Sequence, residues 1–307
     1  MTTLTAIVPA TNNPPTLGRC LAAIREADVG PDELIVVEDA AEPGPAAARN
    51  EGARRAAGDI LVFVDADVVP HRDVFVRVCA AFAREPALTA LFGSYDDDPA
   101  HPGIVSVFRN LLHHHVHQQG AGPASTFWAG LGAVRRDAFL AAGGFDAQRF
   151  PLASVEDIEL GVRLVADGAR IELDPALQAT HLKRWTLSEM VRTDFARRGV
   201  PWTELLLERG GSTALNLGWR HRLSALAVAA SIGSAVTRRR RQALVSILAL
   251  VVLNADLYRL LLRRRGPLHA GAGVALHALH HAAGMAAATV AAARHLGKGR
   301  RRSNRPS

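Results

Sequence analysis

Three short apolar runs at residues 5–9, 33–37 and 60–64 most constrain how this chain can fold. The first ends in the turn-prone Thr11-Asn12-Asn13-Pro14-Pro15, the second at Glu38-Asp39 and the third at Asp65-Ala66-Asp67. Between the first two, Leu17, Cys20, Leu21 and Ile24 recur at the spacing of one helix face. Between the second and third, residues 46–57 read as an Ala/Arg helix that stops at Gly58, a C-cap. Strands that alternate with helices in this way predict right-handed βαβ units and an open, mostly parallel sheet. The unbroken apolar run at 60–64 suits a strand covered on both faces. In such sheets ligands bind outside the carboxyl ends of the strands, so Glu38, Asp39, Asp65 and Asp67 are expected around one crevice.

Further along, the pattern predicts a helix over 74–82, a strand over 87–92 and a solvated acidic turn at Asp96-Asp97-Asp98. A strand over 130–134, a turn at Gly143-Gly144-Phe145-Asp146 and a helix over 159–166 follow, with no internal repeat. The consecutive His113-His114-His115-Val116-His117 cannot all face one ion, which predicts a polar helix rather than a metal site. Cys20 and Cys79 lie in apolar helical patterns without CxxC spacing, so neither a disulfide framework nor a zinc site is indicated.

Charge divides the chain. The net charge of +7 hides sixteen Lys and Arg against the single acid Asp256 from Arg220 onward, and twenty against twenty-eight before it. The basic clusters at 238–241, 263–265 and 300–302 bracket apolar stretches at 223–236, 243–262 and 268–295, which is how membrane-flanking charge is arranged. No aromatics interleave with them, which argues against nucleic acid as a partner. The expected organisation is a catalytic domain over 1–215, a helical membrane-associated region over 216–297 and a basic disordered tail over 298–307. The opening MTTLTAIVPA has neither a basic n-region nor a long apolar core, so the body is expected at the cytoplasmic (inner or plasma) membrane, facing the cytoplasm. His277, His280 and His281 share a helical face of the tail with no acids nearby in sequence, and are expected as interfacial residues or acceptor-lipid contacts.

The ordered set of polar stations resembles the inverting family-2 glycosyltransferases with the GT-A fold. Ile7-Val8-Pro9 with Asn12-Asn13, and Ile35-Val36-Val37-Glu38-Asp39, resemble that family's first two strands. Ala48-Arg49-Asn50-Glu51-Gly52 and Phe63-Val64-Asp65-Ala66-Asp67 resemble its nucleotide and metal segment. Gly130, Arg135 to Phe139, and Gly143 to Asp146 resemble the acceptor side, and Glu156-Asp157-Ile158-Glu159-Leu160, Arg163 through Gly168 and His181 complete the set, over residues 3–190.

The resemblance implies an α/β GT-A fold, Rossmann-like with flanking helices and a C-terminal helical membrane segment. It implies transfer of a hexosyl-type group from a UDP-, GDP- or dTDP-sugar to a hydroxyl of a lipid or glycan acceptor, with inversion, as in synthesis of a cell-envelope glycan. By position, Pro9, Thr11 and Asp39 would line the nucleoside pocket and Arg49 and Asn50 would brace it. Asp65 would contact the ribose or metal, and Asp67, with His181, would hold a divalent cation, Mg2+ or Mn2+. Asp157 matches the catalytic base, and Gly130, Glu156, Arg184 and Trp185 fall on the acceptor side. Glu156 is expected to point away from Asp157 and to orient the acceptor or bind a basic neighbour. Arg184-Trp185 is expected either in acceptor recognition or as a stacked pair at a helix start.

Three features depart from the family pattern, the first being the opening Pro9-Ala10-Thr11-Asn12, where the family has an aromatic at the third position. The second strand ends in Glu38-Asp39 rather than paired aspartates, and His181 stands where processive synthases carry Gln before Arg-Trp, which favours single addition. Two other readings compete: a non-catalytic membrane scaffold or binding protein of GT-A shape, and a nucleotidyltransferase. The retained Asp39, Asp65, Asp67 and Asp157 oppose the first, and the absence of a Gly-rich phosphate loop after the first strand opposes the second.

Overall fold

The computed structural model describes residues 2–209 and 218–303, with side chains described as far as residue 297. The chain order is β1 (Leu4–Pro9), α1 (Leu17–Arg25), β2 (Glu33–Val37), α2 (Pro45–Arg55), β3 (Ile60–Val64), β4 (Val68–Pro70), α3 (Val74–Arg84) and β5 (Leu88–Tyr95). Then come α4 (Ile104–Gln119), β6 (Gly122–Ala124), β7 (Leu131–Arg135), α5 (Arg136–Ala141), α6 (Glu156–Ala166) and β8 (Arg170–His181). The remainder is helical: α7 (Leu187–Arg192), a π-helix (Thr193–Gly199), α8 (Val200–Arg209), α9 (Trp219–Val236), α10 (Arg240–Leu253) and α11 (Ala255–Ser303).

Two compact units result: Met1–His101 with His113–Lys183, and Pro102–Leu112 with Arg184–Ser307. They divide at 183/184, whereas the expected boundary after residue 215 falls in 210–217, outside the described residues. Of the expected tail at 298–307, the backbone is helical to Ser303 and 304–307 lie outside the described residues.

The first unit is built on one sheet of order β2-β1-β3-β7-β5-β8-β4, with β6 on β8. β1, β2, β3, β5 and β8 run one way, and β7 is inserted antiparallel between β3 and β5. That reversal places the start of β7, just after Gly130, at the carboxyl ends of β3 and β5. β3 is wholly buried, as its unbroken apolar run requires, and α1, α2, α3, α5 and α6 pack on the sheet.

In the second unit a capping box at Thr186 and Glu189 starts α7. α11 lies close on the π-helix: a Cβ added to Gly199 would meet Ala287 Cβ at 2.6 Å. Two breaks shape the apolar helices. Gly266 (φ 82°) followed by Pro267 kinks α11 where the sequence divided its second and third apolar stretches. The stretch expected to run unbroken over 243–262 is also interrupted, at Asn254, whose side chain donates to Ser224 Oγ (2.8 Å) and the Leu250 carbonyl (2.9 Å). The fourteen residues of α10 therefore reach only about 21 Å, short of the roughly 30 Å of a hydrocarbon core. Among the described residues one helix is long and apolar enough to cross a membrane, Ala255–Gly297. Its histidines are not interfacial: His277 and His281 are buried, and His280 bonds Asp194 (2.9 Å), an acid that is remote in sequence and also holds Arg109 (2.8 Å).

Candidate active site

Asp65-Ala66-Asp67 leaves β3 at the carboxyl end of the sheet, and backbone bonds fix the tripeptide on both sides. The Asp65 N–H donates to the Gly130 carbonyl (3.1 Å), and the Asp67 carbonyl accepts from Leu182 N–H (2.8 Å). Asp67 thus sits beside the end of β8, where its carboxylate lies 3.5 Å from His181 Nε2. The two carboxyls are pushed in opposite directions. Burial raises Asp65, helped by the charge of Asp67, and Arg49 does not fully offset it. Burial acts on Asp67 too, but the His181 hydrogen bond and charge, with Lys183, outweigh it and hold Asp67 below the usual carboxylate range. Under them, the Cys20 thiol faces the Asp65 carbonyl at 3.6 Å, and burial pushes it up to about 12, consistent with a small core residue.

Arg49 ties Asp65 to Glu156. Pro45 opens α2, where its missing N–H costs nothing, and the guanidinium one turn on is buried over the Phe145 ring. Its two terminal nitrogens pair with Asp65 (2.6 Å) and Glu156 (3.1 Å). The basic neighbour of Glu156 is thus Arg49; its other oxygen accepts from Ser154 N–H (2.8 Å), and with both oxygens so engaged the carboxylate braces the site rather than an acceptor. Asn50 clamps the Gly143 to Asp146 turn, donating to the Phe145 carbonyl (2.8 Å) and accepting from its N–H (2.9 Å). Gly144 (φ +70°) is required there, since a Cβ would stand 2.5 Å from Asn50 Oδ1. Phe63, Phe139 and Phe145 pack below at ring distances of 5.2 to 5.3 Å, and Arg163 closes the turn through the Ala142 and Gly144 carbonyls.

Asp157 occupies the first turn of α6 but does not cap it; the N-cap is Val155. One Asp157 oxygen accepts from its neighbour Ile158 N–H (2.8 Å) and the other from Ala129 N–H (3.2 Å), which fixes a half-buried carboxylate next to Gly130. Gly130 leaves room for an aromatic ring: a Cβ there would lie 2.4 Å from the Trp128 indole.

Pro9 is buried at the end of β1, Thr11 is half-buried in the turn beyond it and Asp39 is exposed after β2. Arg184 and Trp185 belong to the second unit. They are not a stacked pair; the cation over the Trp185 ring is Arg109, at 5.0 Å, and Trp185 N–H donates to Ser106 Oγ (2.9 Å). The acidic turn also differs from expectation. Asp96 is buried, accepting from Thr180 Oγ1 and facing His71 Nε2 at 3.1 Å.

Sequence reasoning missed an aromatic cluster beside Asp67. Tyr95, at the end of β5, stacks flat on His181 (4.1 Å, 7°), with His113 and Trp128 behind it at 4.2 and 4.9 Å. Among the described residues no three His, Cys, Asp or Glu side chains converge as a complete metal cage. The protein offers Asp67 and His181, one carboxylate and one imidazole.

Residues 41–141 match the family model described as Glycosyl transferase family 2, a span that includes Arg49, Asn50, Asp65, Asp67 and Gly130 but ends before Glu156, Asp157 and His181. The chain is similar to the mannosyltransferase PcManGT from Pyrobaculum calidifontis in complex with GDP-Man and Mn2+, at 20% identity and TM-score 0.53, over 94% of this chain and 87% of that one. Over residues 41–141 this chain is similar to family-2 glycosyltransferases, and its fold is of the GT-A kind. At 94% coverage, the GT-A likeness to that neighbour reaches beyond the sheet unit into the helical one. Glucosyl-3-phosphoglycerate synthase from Mycobacterium tuberculosis, in complex with Mn2+, uridine-diphosphate-glucose and glycerol 3-phosphate, is similar at 18% identity and TM-score 0.44, over 69% of this chain and 81% of that one. No curated protein sequence matches this chain.

Proposed function

We propose that this protein transfers a hexosyl group from a nucleoside-diphosphate sugar to an acceptor hydroxyl with inversion, and that residues around Arg49 form the site. The observation that carries the reading is the gathering at the carboxyl end of the sheet of Asp67 beside His181, and of Asp65 and Glu156 on a single buried guanidinium. An isolated scaffold has no use for so costly a set of buried charges.

Asp67 and His181 fit a divalent cation, Mg2+ or Mn2+: an oxygen ligand and an imidazole, with positions left for diphosphate oxygens and water. When bound, the cation neutralises the charge that develops on the diphosphate leaving group. Pro9, Thr11 and Asp39 line the nucleoside side, and Arg49 and Asn50 hold the donor-side backbone. Asp65 faces the ribose or the cation. Asp157, fixed by Ala129 N–H next to Gly130, takes the proton of the acceptor hydroxyl. The new bond joins that oxygen to the anomeric carbon, the bond to the diphosphate oxygen breaks, and its electron pair leaves with the diphosphate. Attack opposite the leaving group inverts the carbon. His181 in place of Gln favours one addition per encounter.

The helical unit is assigned to the cytoplasmic membrane, with the sheet unit facing the cytoplasm and Arg184 and Trp185 serving a lipid or glycan acceptor. The support is the helix Ala255–Gly297 and the exposed Leu226, Ile232, Val236, Leu244 and Leu248 of α9 and α10, flanked by basic clusters.

The test is sugar release from UDP-, GDP- and dTDP-hexoses with and without Mn2+. Asp67→Ala is expected to remove activity far more than Asp97→Ala. Undiminished activity in excess chelator removes the cation role.

A further inference from the structure

We infer that Tyr95 is the positioning residue of His181 and that the histidine tract of α4 is its backing. The inference rests on the proposed cation role of Asp67 and His181.

An imidazole binds a cation along the lone pair of one nitrogen, so the ion must lie in the ring plane. The torsion that sets that plane joins an sp³ to an sp² carbon and is intrinsically broad, so packing has to fix it. Tyr95 does so. It ends β5 as His181 ends β8, the two strands are parallel, and the rings lie 4.1 Å apart with planes only 7° from parallel. In that plane Nε2 faces Asp67 at 3.5 Å.

Tyr95 is itself held from behind. His113 lies 4.2 Å from its ring at 36°, and the Trp128 indole meets it edge-on at 4.9 Å and 87°. His117, one turn beyond His113, stacks on it at 3.9 Å. Nδ1–H of His114 donates to the Tyr95 carbonyl (2.8 Å) and that of His117 to the Gly93 carbonyl (2.8 Å), pinning α4 to β5. Carbonyls only accept, which sets both tautomers. An imidazole offers a flat face and a donor together, and leucine offers neither. This accounts for His113, His114 and His117, which converge on no ion: they hold one tyrosine, which holds the His181 ring in line with Asp67.

The test uses the full chain and reads Mn2+ affinity directly, by electron paramagnetic resonance titration in the presence of UDP. Tyr95→Phe keeps the ring and is expected to bind Mn2+ within about twofold of the parent. Tyr95→Leu is expected to weaken it about ten- to a hundredfold, the usual effect of losing a partner that orients a metal ligand. In a His181→Ala background Tyr95→Leu should add nothing. Phe92→Leu removes a ring of the same cluster that packs on His117 and Phe127, and is expected to leave the affinity unchanged. If circular dichroism shows that Tyr95→Leu does not fold, Trp128→Leu, which loosens the clamp, carries the test with an expected loss of several-fold. Parent-like affinity in the folded variant overturns the inference while the cation role stands. A parent chain that binds no Mn2+ overturns both.

Discussion

Arg49 and Glu156, 107 residues apart in the chain, form an ion pair at 3.1 Å in which each side chain is only 5% exposed. Through it α2 is bound to α6, the helix that carries Asp157. Removing one partner of a buried pair leaves the other charge uncompensated, at about 3–5 kcal/mol. Arg49→Leu, which strands both Asp65 and Glu156, is expected to lower unfolding stability by about that amount in urea titration. Glu156→Gln keeps a hydrogen-bond acceptor for Arg49 and should cost less. Equal stability of Arg49→Leu and parent would contradict the bridge.

Asp157→Asn preserves shape and one of the two acceptor oxygens that serve Ala129 N–H and Ile158 N–H, but cannot take a proton. Turnover is expected to fall by about two to four orders of magnitude with donor affinity nearly unchanged. Capping cannot mask the effect, because Val155 holds that position. If the variant still transfers sugar within a few-fold of parent, Asp157 is not the base.

The half-exposed His71 has its pKa raised, first by its hydrogen bond to Asp96, then by the charges of Asp96 and Asp73, against a smaller cost of burial. A raised folded-state value contributes stability that is complete below the unfolded value of about 6.5 and is lost as pH rises through the folded value. The His71 ring protons should therefore titrate above about 6.5 by NMR. The stability gap between parent and His71→Gln should narrow as pH rises above about 6.5. A gap that is constant across that range would exclude the charged pair as its source.

Leu244, Val245, Leu248 and Val252 leave one flank of α10 apolar and exposed, beside the Arg238 to Arg241 turn. The full chain is expected to float with anionic vesicles, and Leu248→Asp with Val252→Asp to weaken that binding. Recovery of the parent in the soluble fraction at low salt would end the membrane assignment.

What the sequence made legible follows from how local each signal is. β2 and β3 were readable to the residue because each is a short apolar run stopped by acids. β8 was not: RIELDPALQATH contains Pro175 and alternates charge with apolar residues, and its twelve residues become a strand only through pairing with β5, β6 and β4. The break at Asn254 hid among apolar neighbours on both sides, since only Ser224 gives the side chain its buried partner. Asp65, Asp67, Asp157 and His181 could be named from their order along the chain. Tyr95 could not, because stacking on His181 depends on the register of two parallel strands and leaves no mark within either. Asp96 was mistaken for a solvated acid because Thr180 and His71 reach it from distant segments.

Trp128 and Gly130 occupy one volume between them, the indole standing 2.4 Å from where a Cβ at 130 would be. The two positions are therefore not free to drift independently over evolutionary time. A lineage could acquire a side chain at 130 only after 128 had shrunk, and that intermediate would carry a void beside Tyr95 and a slackened backbone at Asp65, whose N–H rests on the Gly130 carbonyl. The pair acts as a ratchet that admits change in one order only, so this end of the sheet is expected to diversify around 128 and 130 rather than through them.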